Sequence, residues 1–214
     1  MQTDATSLNG GVLNDDERAS IPFVPVRRQD RAMTDEIWIE LLLARAPLGV
    51  MATAAEGEPY LNANLFVYDA SQKVIYLHTA RVGRTRRTVG ESTRVAFTVH
   101  EMGRLLPAQV ALEMSVEYAS VVVFGEVALV EGPAEAEYGL QLLLDKYFSH
   151  LHPGRDYQAI QPAELVRTSV FRIRIEAWSG KQKQAPADFP GAFWYQGLGQ
   201  LPFPPSSDTL YTQI

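Results

Sequence analysis

The stretch VEYASVVVFGEVALVE, residues 116–131, decides the fold. Ala119, Val121, Val123, Val127 and Leu129 make one apolar face, and Tyr118, Ser120, Val122, Phe124 and Glu126 make the other. An alternation of period two sustained this long is a β-strand. At ~3.3 Å per residue it would span roughly 45 Å if straight, more than a small flat sheet can use. Gly125 is therefore the expected site of a bend or bulge, as at a barrel corner. The Tyr118–Phe124 face lies opposite a core face and is too apolar for water, so a cover is expected, and a second copy of the chain would supply it.

Shorter strands surround this one. LGVMATA (48–54) and PYLNANLFVY (59–68) flank a turn at Glu56-Gly57-Glu58, which reads as a hairpin. In the second of these, Leu61, Ala63, Leu65 and Val67 face one way; Tyr60, Asn62, Asn64, Phe66 and Tyr68 face the other, mixing rings with amides. KVIYLHT (73–79), RVAFTVH (94–100, with Val95, Phe97 and Val99 inward) and TSVFRIRIEAW (168–178, with Phe171, Ile173 and Ile175 inward) complete the set. EMGRLLPAQVALEM (101–114) reads as a loop.

Two longer helices are expected. MTDEIWIELLLARAP (33–47) has Thr34 placed as N-cap, Pro47 as stop, and Ile37, Leu41 and Ala44 as its inward stripe. GPAEAEYGLQLLLDKYFSH (132–150) has Pro133 in its first turn and a stripe of Ala136, Leu140, Leu143 and Tyr147. With six or seven short strands and no βαβ rhythm, the fold class is mainly β: an antiparallel, Greek-key-like closed barrel with peripheral α-helices. The boundaries read as a flexible N-terminal arm at 1–30, the barrel domain at 31–181, and a Pro- and aromatic-rich extension at 182–214 that wraps the domain.

Composition narrows the function. The net charge of −6 argues against a broad nucleic-acid surface. With no cysteine there is no disulfide, thiolate metal site or thiol nucleophile. No signal peptide or membrane-spanning run is evident, so the expectation is a soluble, cytoplasmic protein without membrane or nucleic-acid partners. No metal site is expected, because His150 and His152 stand at a helix end without further ligands. No G-x-G-x-x-G, P-loop or G-x-S-x-G pattern occurs.

The chemistry concentrates in YLHTARVGRTRR (76–87), where a strand ending in His78 and Thr79 runs into Arg81, Arg84, Arg86 and Arg87. Gly83 permits a sharp turn and a short helix from Arg84 to about Gly90 follows, so cationic forks and first-turn N–H groups lie together. Spacing alone leaves two readings open, a solvated basic helix face or an anion site.

Three stretches in order add a resemblance: YLHTARVGRTRRTVGESTRVAFTV (76–99), LEMSVEYASVVVFGEVALV (112–130) and RTSVFRIRIEAWSGK (167–181). Together they resemble the pyridoxamine 5′-phosphate oxidase-like FMN-binding split-barrel proteins, nearest the nitroimidazole-resistance branch. The resemblance implies a split β-barrel homodimer with FMN between subunits, acting on a small-molecule substrate and electron donor. It implies that His78, Thr79, Arg84, Thr85, Arg86 and Arg87 hold the flavin phosphate and ribityl chain. Asn62, Asn64 and Leu65, with Ser120 and Val121, would line the ring; Trp178 and Lys181 would close the site; and His78 would serve as the catalytic residue on the substrate side. Thr85 stands where many such proteins carry lysine, and Ala63 where many carry proline. The implied activity is that of an FMN-dependent oxidoreductase, for example a reductase of nitroaromatic compounds. The alternatives are a non-catalytic flavin or haem binder and a deazaflavin-dependent reductase.

Overall fold

The structure, a computed structural model, describes residues 26–91 and 94–195. Its strands are β1 (Ala32–Met33), β2 (Gly49–Ala55), β3 (Glu58–Asn64), β4 (Phe66–Asp69), β5 (Val74–Ala80), β6 (Arg94–Leu106), β7 (Ser115–Leu129) and β8 (Thr168–Lys183). Its α-helices are α1 (Glu36–Arg45), α2 (Arg84–Glu91), α3 (Pro133–Tyr147) and α4 (Pro162–Leu165). None of the described helices is long and apolar enough to cross a membrane.

All eight strands join one antiparallel sheet in the order β3-β2-β6-β7-β8-β5-β4, with β1 added beside β8. β3 and β4 stand at opposite ends of this order, yet only Leu65 separates them in the chain. The sheet must curl until its two edges meet at that residue. The result is a barrel split at Leu65, with helices on its periphery.

The barrel core is built from the faces that alternate inward. Val121, Val123 and Val127 of β7, Phe97 and Val99 of β6, and Phe171 and Ile173 of β8 are buried there. Phe66 meets Phe97 edge-on, with ring centroids 4.9 Å apart. Outside the barrel, α3 sets Ala136 and Leu143 on Val67, Val74, Tyr76 and Val170.

The two-residue turn at Glu56 and Gly57 has positive φ at both positions (52° and 82°), the conformation of a tight hairpin. Gly125 marks an irregularity, as expected, and the extra residue lies in the facing strand. Phe124 pairs with Ala177 and Gly125 with Ile175, leaving Glu176 unopposed. A Cβ at position 125 would lie 2.0 Å from the Arg174 carbonyl oxygen, so only glycine permits this approach.

Several expectations need correction. Asp35, not Thr34, caps α1: its Oδ1 accepts from the Ile37 N–H at 2.9 Å and the Trp38 N–H at 3.4 Å. The inward face of α1 is Ile39, Leu42 and Leu43, while Ile37 and Leu41 are exposed. Apart from Glu40, IWIELLLA is apolar all round, so its pattern does not fix which face turns inward. On β3, Leu61 and Ala63 face solvent, and the strand breaks at Leu65 instead of running on to Tyr68.

Strand β6 also continues through residues 101–106, expected to be loop. There Leu105 pairs with Val116 on one side and bridges Phe193 on the other. Arg104 anchors this continuation, with a guanidinium nitrogen 2.8 Å from Glu117 and bonds to the carbonyls of Ala185, Pro186 and Ala187. The extension beyond residue 182 is thus held on β6 and β7 as far as it is described. The expectations for residues 1–25 and 196–214 lie outside the described residues.

Candidate functional site

The β2–β3 hairpin register determines which side chains meet α2. Thr53 pairs with Tyr60 and Met51 with Asn62, and α2 packs on β2. The Arg84 guanidinium lies 4.5 Å from the Tyr60 ring centroid. Two residues along β3, the Asn62 amide donates to Thr85 Oγ1 at 3.0 Å and to Asn64 Oδ1 at 3.1 Å. The Asn64 amide donates in turn to the Asn62 carbonyl at 2.8 Å. Four of the expected site residues, Asn62, Asn64, Arg84 and Thr85, therefore form one polar junction between an edge strand and a helix start.

At this junction the electrostatics are one-sided. Gly83 precedes α2 and its carbonyl accepts from the Arg87 N–H at 3.3 Å. The N–H groups of Arg84, Thr85 and Arg86 belong to the first turn and have no acceptor within the helix. Among the described residues, Arg84, Arg86 and Arg87 form no ion pair with a carboxylate. Arg86 is half-buried and Arg87 exposed. Arg81 donates instead to the Val166 carbonyl.

Two residues at the junction escaped the sequence reading. Thr53 is 5% exposed and its Oγ1 has no hydrogen-bond partner among the described residues. Buried hydroxyls are nearly always paired. The turn at Glu56-Gly57 was the available signal, since a two-residue hairpin loop sets Thr53 across from Tyr60 and hence on the face that α2 covers. Tyr60, the ring beneath Arg84, follows from the same register.

The remaining expected site residues lie elsewhere. Ser120 pairs directly with Lys181 across β7 and β8 on the outward face, beside His100 of β6. Val121 points the other way and is fully buried, so it can offer only its backbone. Trp178 pairs with Val123 and packs against the core, so within one chain it and Lys181 occupy opposite faces of the sheet. Lys73 lies 5.5 Å from the Trp178 ring centroid. The W-S-G-K run falls inside β8, and the bulge at Glu176 sets which of its side chains point inward. The Thr79 hydroxyl donates to the Ala80 carbonyl at 3.0 Å.

His78 and Leu65 line a separate apolar cavity, walled chiefly by α3 side chains, to which no residue of α2 contributes. The carbon surroundings disfavour the imidazolium and lower the His78 pKa below its ordinary value.

The comparisons with known proteins bear on the fold and the family. The structure resembles a flavocytochrome from Azotobacter vinelandii, with 22% identity, 84% of this chain and 87% of that chain covered, and a TM-score of 0.65. It also resembles a FAD and haem binding protein from Mycobacterium smegmatis, with 20% identity, coverage of 84% and 93%, and a TM-score of 0.61. A candidate 5-nitroimidazole antibiotic resistance protein from Bacteroides thetaiotaomicron is a third, with 18% identity, coverage of 71% and 86%, and a TM-score of 0.59. At these identities the likeness shows the fold. No curated protein matches the sequence. The pyridoxamine 5′-phosphate oxidase family model matches residues 35–182, more than half of the chain and all of the barrel from α1 to β8, and the chain belongs to that family.

Proposed function

We propose that this protein is a flavin-dependent oxidoreductase that binds FMN with its phosphate at the start of α2 and works as a homodimer. The observation that carries the reading is the set of cations Arg84, Arg86 and Arg87, without carboxylate partners among the described residues of a chain of net charge −6. Cations and free first-turn N–H groups suit a phosphate dianion. The orphan Thr53 hydroxyl adds a polar group on the face that α2 covers. These residues fit the group: Arg84, Arg86 and Arg87 would hold the phosphate, and Asn62 would position the helix through Thr85. Bound there, the flavin supplies electron transfer between a small-molecule donor and a small-molecule acceptor, for which nitroaromatic compounds are the proposed class.

The dimer reading rests on a face that the described residues leave partly exposed. Leu61, Ala52 and Ala96 are cross-strand neighbours in one row over β3, β2 and β6. Ala63, Val50, Thr98, Val122 and Ser179 form the next row. An apolar surface five strands wide calls for a cover, and a second copy offers a complementary one.

The test is the absorbance spectrum of the purified protein together with the mass of the released cofactor. Oxidised-flavin bands and the mass of FMN are expected; FAD would overturn the choice of FMN, and a Soret band without flavin would overturn the reading.

A further inference from the structure

Residues 184–195, QAPADFPGAFWY, follow β8 and lie beyond the span that the family model matches. Pro186 and Pro190 lack the N–H that a regular ladder needs. None of these residues is fully buried. Ala185, Phe189 and Ala192 are half-buried, and the others are exposed. Burial of apolar surface therefore contributes little to holding this segment, and its attachment is chiefly polar.

It is fastened at two places. At the first, Arg104 donates from Nε and Nη2 to the Glu117 carboxylate at 2.9 and 2.8 Å. The same guanidinium donates to the carbonyls of Ala185, Pro186 and Ala187 at 3.3, 3.0 and 2.9 Å. Glu117 Oε1 also accepts from the Ala185 N–H at 2.9 Å, so one ion pair grips both the donors and the acceptors of the segment. At the second, Leu105 and Phe193 exchange backbone hydrogen bonds of 2.7 and 3.1 Å. Between the two, the Phe189 N–H reaches Pro186 and the Ala192 N–H reaches Phe189, both within the segment itself. Gly191, with φ of 69°, turns the chain against Pro107. The β7 core beside it is different in kind, with Val121 and Val123 fully buried. An element with few buried apolar contacts opens at a lower free energy than the core it rests on.

We infer that residues 184–193 form a strap that opens and closes as one unit on an intact barrel, with the Arg104–Glu117 pair as its clamp. Closed, the strap covers the end of the β6 edge. Open, it leaves the Leu105 N–H and C=O unpaired, an edge on which an extended segment can pair. The inference does not rest on flavin binding.

The test is amide hydrogen exchange of the full-length protein, followed residue by residue by NMR. The Leu105, Ala185 and Phe193 amides should exchange at a common rate, at least about tenfold faster than those of Val121 and Val123. Arg104→Met keeps the side-chain length and removes the clamp; it should speed all three about tenfold or more and leave Val121 and Val123 unchanged. Gly191→Ala strains the far turn without touching the clamp, and stands as the second variant should the first not fold. It should speed Ala185 as much as Phe193. Exchange of the three amides at the rate of Val121 and Val123, a Gly191→Ala effect confined to Phe193, or an equal effect of either variant on the β7 core would overturn the inference.

Discussion

The Asn62 side-chain amide donates to the Thr85 hydroxyl at 3.0 Å, tying the edge strand β3 to the first turn of α2. At the position where the family resemblance leads one to expect a lysine, this chain has a hydroxyl that accepts from Asn62, and the proposed phosphate site draws its charge from the neighbours Arg84 and Arg86. Thr85→Val keeps the shape and removes the acceptor. Asn62 retains its bond to Asn64, so the cost should be near 1 kcal/mol, a fall in Tm of about 2–4 °C for a domain of this size. FMN affinity should fall with it, and a calorimetric melt plus an FMN titration checks both.

The arginines should act on phosphate and not on the flavin ring. Charge-assisted hydrogen bonds contribute about 1.5–3 kcal/mol, so Arg84→Ala, Arg86→Ala or Arg87→Ala should weaken FMN by roughly tenfold or more wherever that residue touches the phosphate. Riboflavin, which has no phosphate, should bind each variant as it binds the wild type. Parallel fluorescence titrations with the two flavins provide the comparison, and equal losses for both would contradict the assignment.

Gly125 faces the Arg174 backbone so closely that a methyl group cannot fit without moving β8. Gly125→Ala should therefore destabilise the fold by at least about 2 kcal/mol, toward the upper range for overpacking. Gly57→Ala meets nothing within 4 Å and carries only the strain of its φ of 82°; its loss should be about 1 kcal/mol. Denaturant melts of the two variants give the order directly.

Lys146 donates from Nζ to the Ala46 carbonyl at 2.8 Å and lies 3.9 Å from the Phe66 ring centroid. Burial lowers its pKa to about 8. Below that pH both folded and unfolded chains hold the proton, and the folded state bears the desolvation penalty of the charge. Between pH about 8 and the ordinary lysine value near 10.4, the unfolded chain holds more protons, so this group's contribution to stability rises with pH. The Tm difference between Lys146→Met and wild type should accordingly shrink from pH 8 to pH 10. A gap that stays constant would show that Lys146 is charged throughout.

Val122, half-exposed, sits in the middle of the five-strand face, directly across from Thr98 and Ser179. Val122→Glu places a charge there at little cost to a lone chain. Light scattering at micromolar concentration should give a dimer for wild type and a monomer for the variant, with the Tm of the variant falling as the interface is lost.

The barrel itself was legible because strands 94–100, 116–129 and 168–175 each alternate cleanly, and because Gly125 stands out in the longest. The α1 face was not, since Ile37, Leu41 and Leu42 are chemically equivalent and only the shape of the barrel interior selects among them. At the candidate site, Asn62, Asn64, Arg84 and Thr85 could be named from the sequence, and their meeting needed the hairpin register. Thr53, an isolated threonine within an apolar strand, has no signature of its own; only the hairpin register set by Glu56-Gly57 puts it across from Tyr60. Trp178 and Lys181, three residues apart, fall on opposite faces by simple alternation; knowing which of them points inward required the one-residue bulge at Glu176, which reverses the alternation along β8.

The place of β8 also bears on how the chain acquires its fold. The last strand in sequence lies in the middle of the sheet, with β7 on one side and β5 on the other. Until residues 168–183 have been synthesised, β3-β2-β6-β7 and β5-β4 can only form as separate ladders, each with an open edge. Non-local pairing of this kind is slow to nucleate and leaves edges exposed to aggregation meanwhile. A nascent chain stalled before Thr168 would thus be two sheets without a barrel, and a peptide carrying the last strand would be the wedge that joins them.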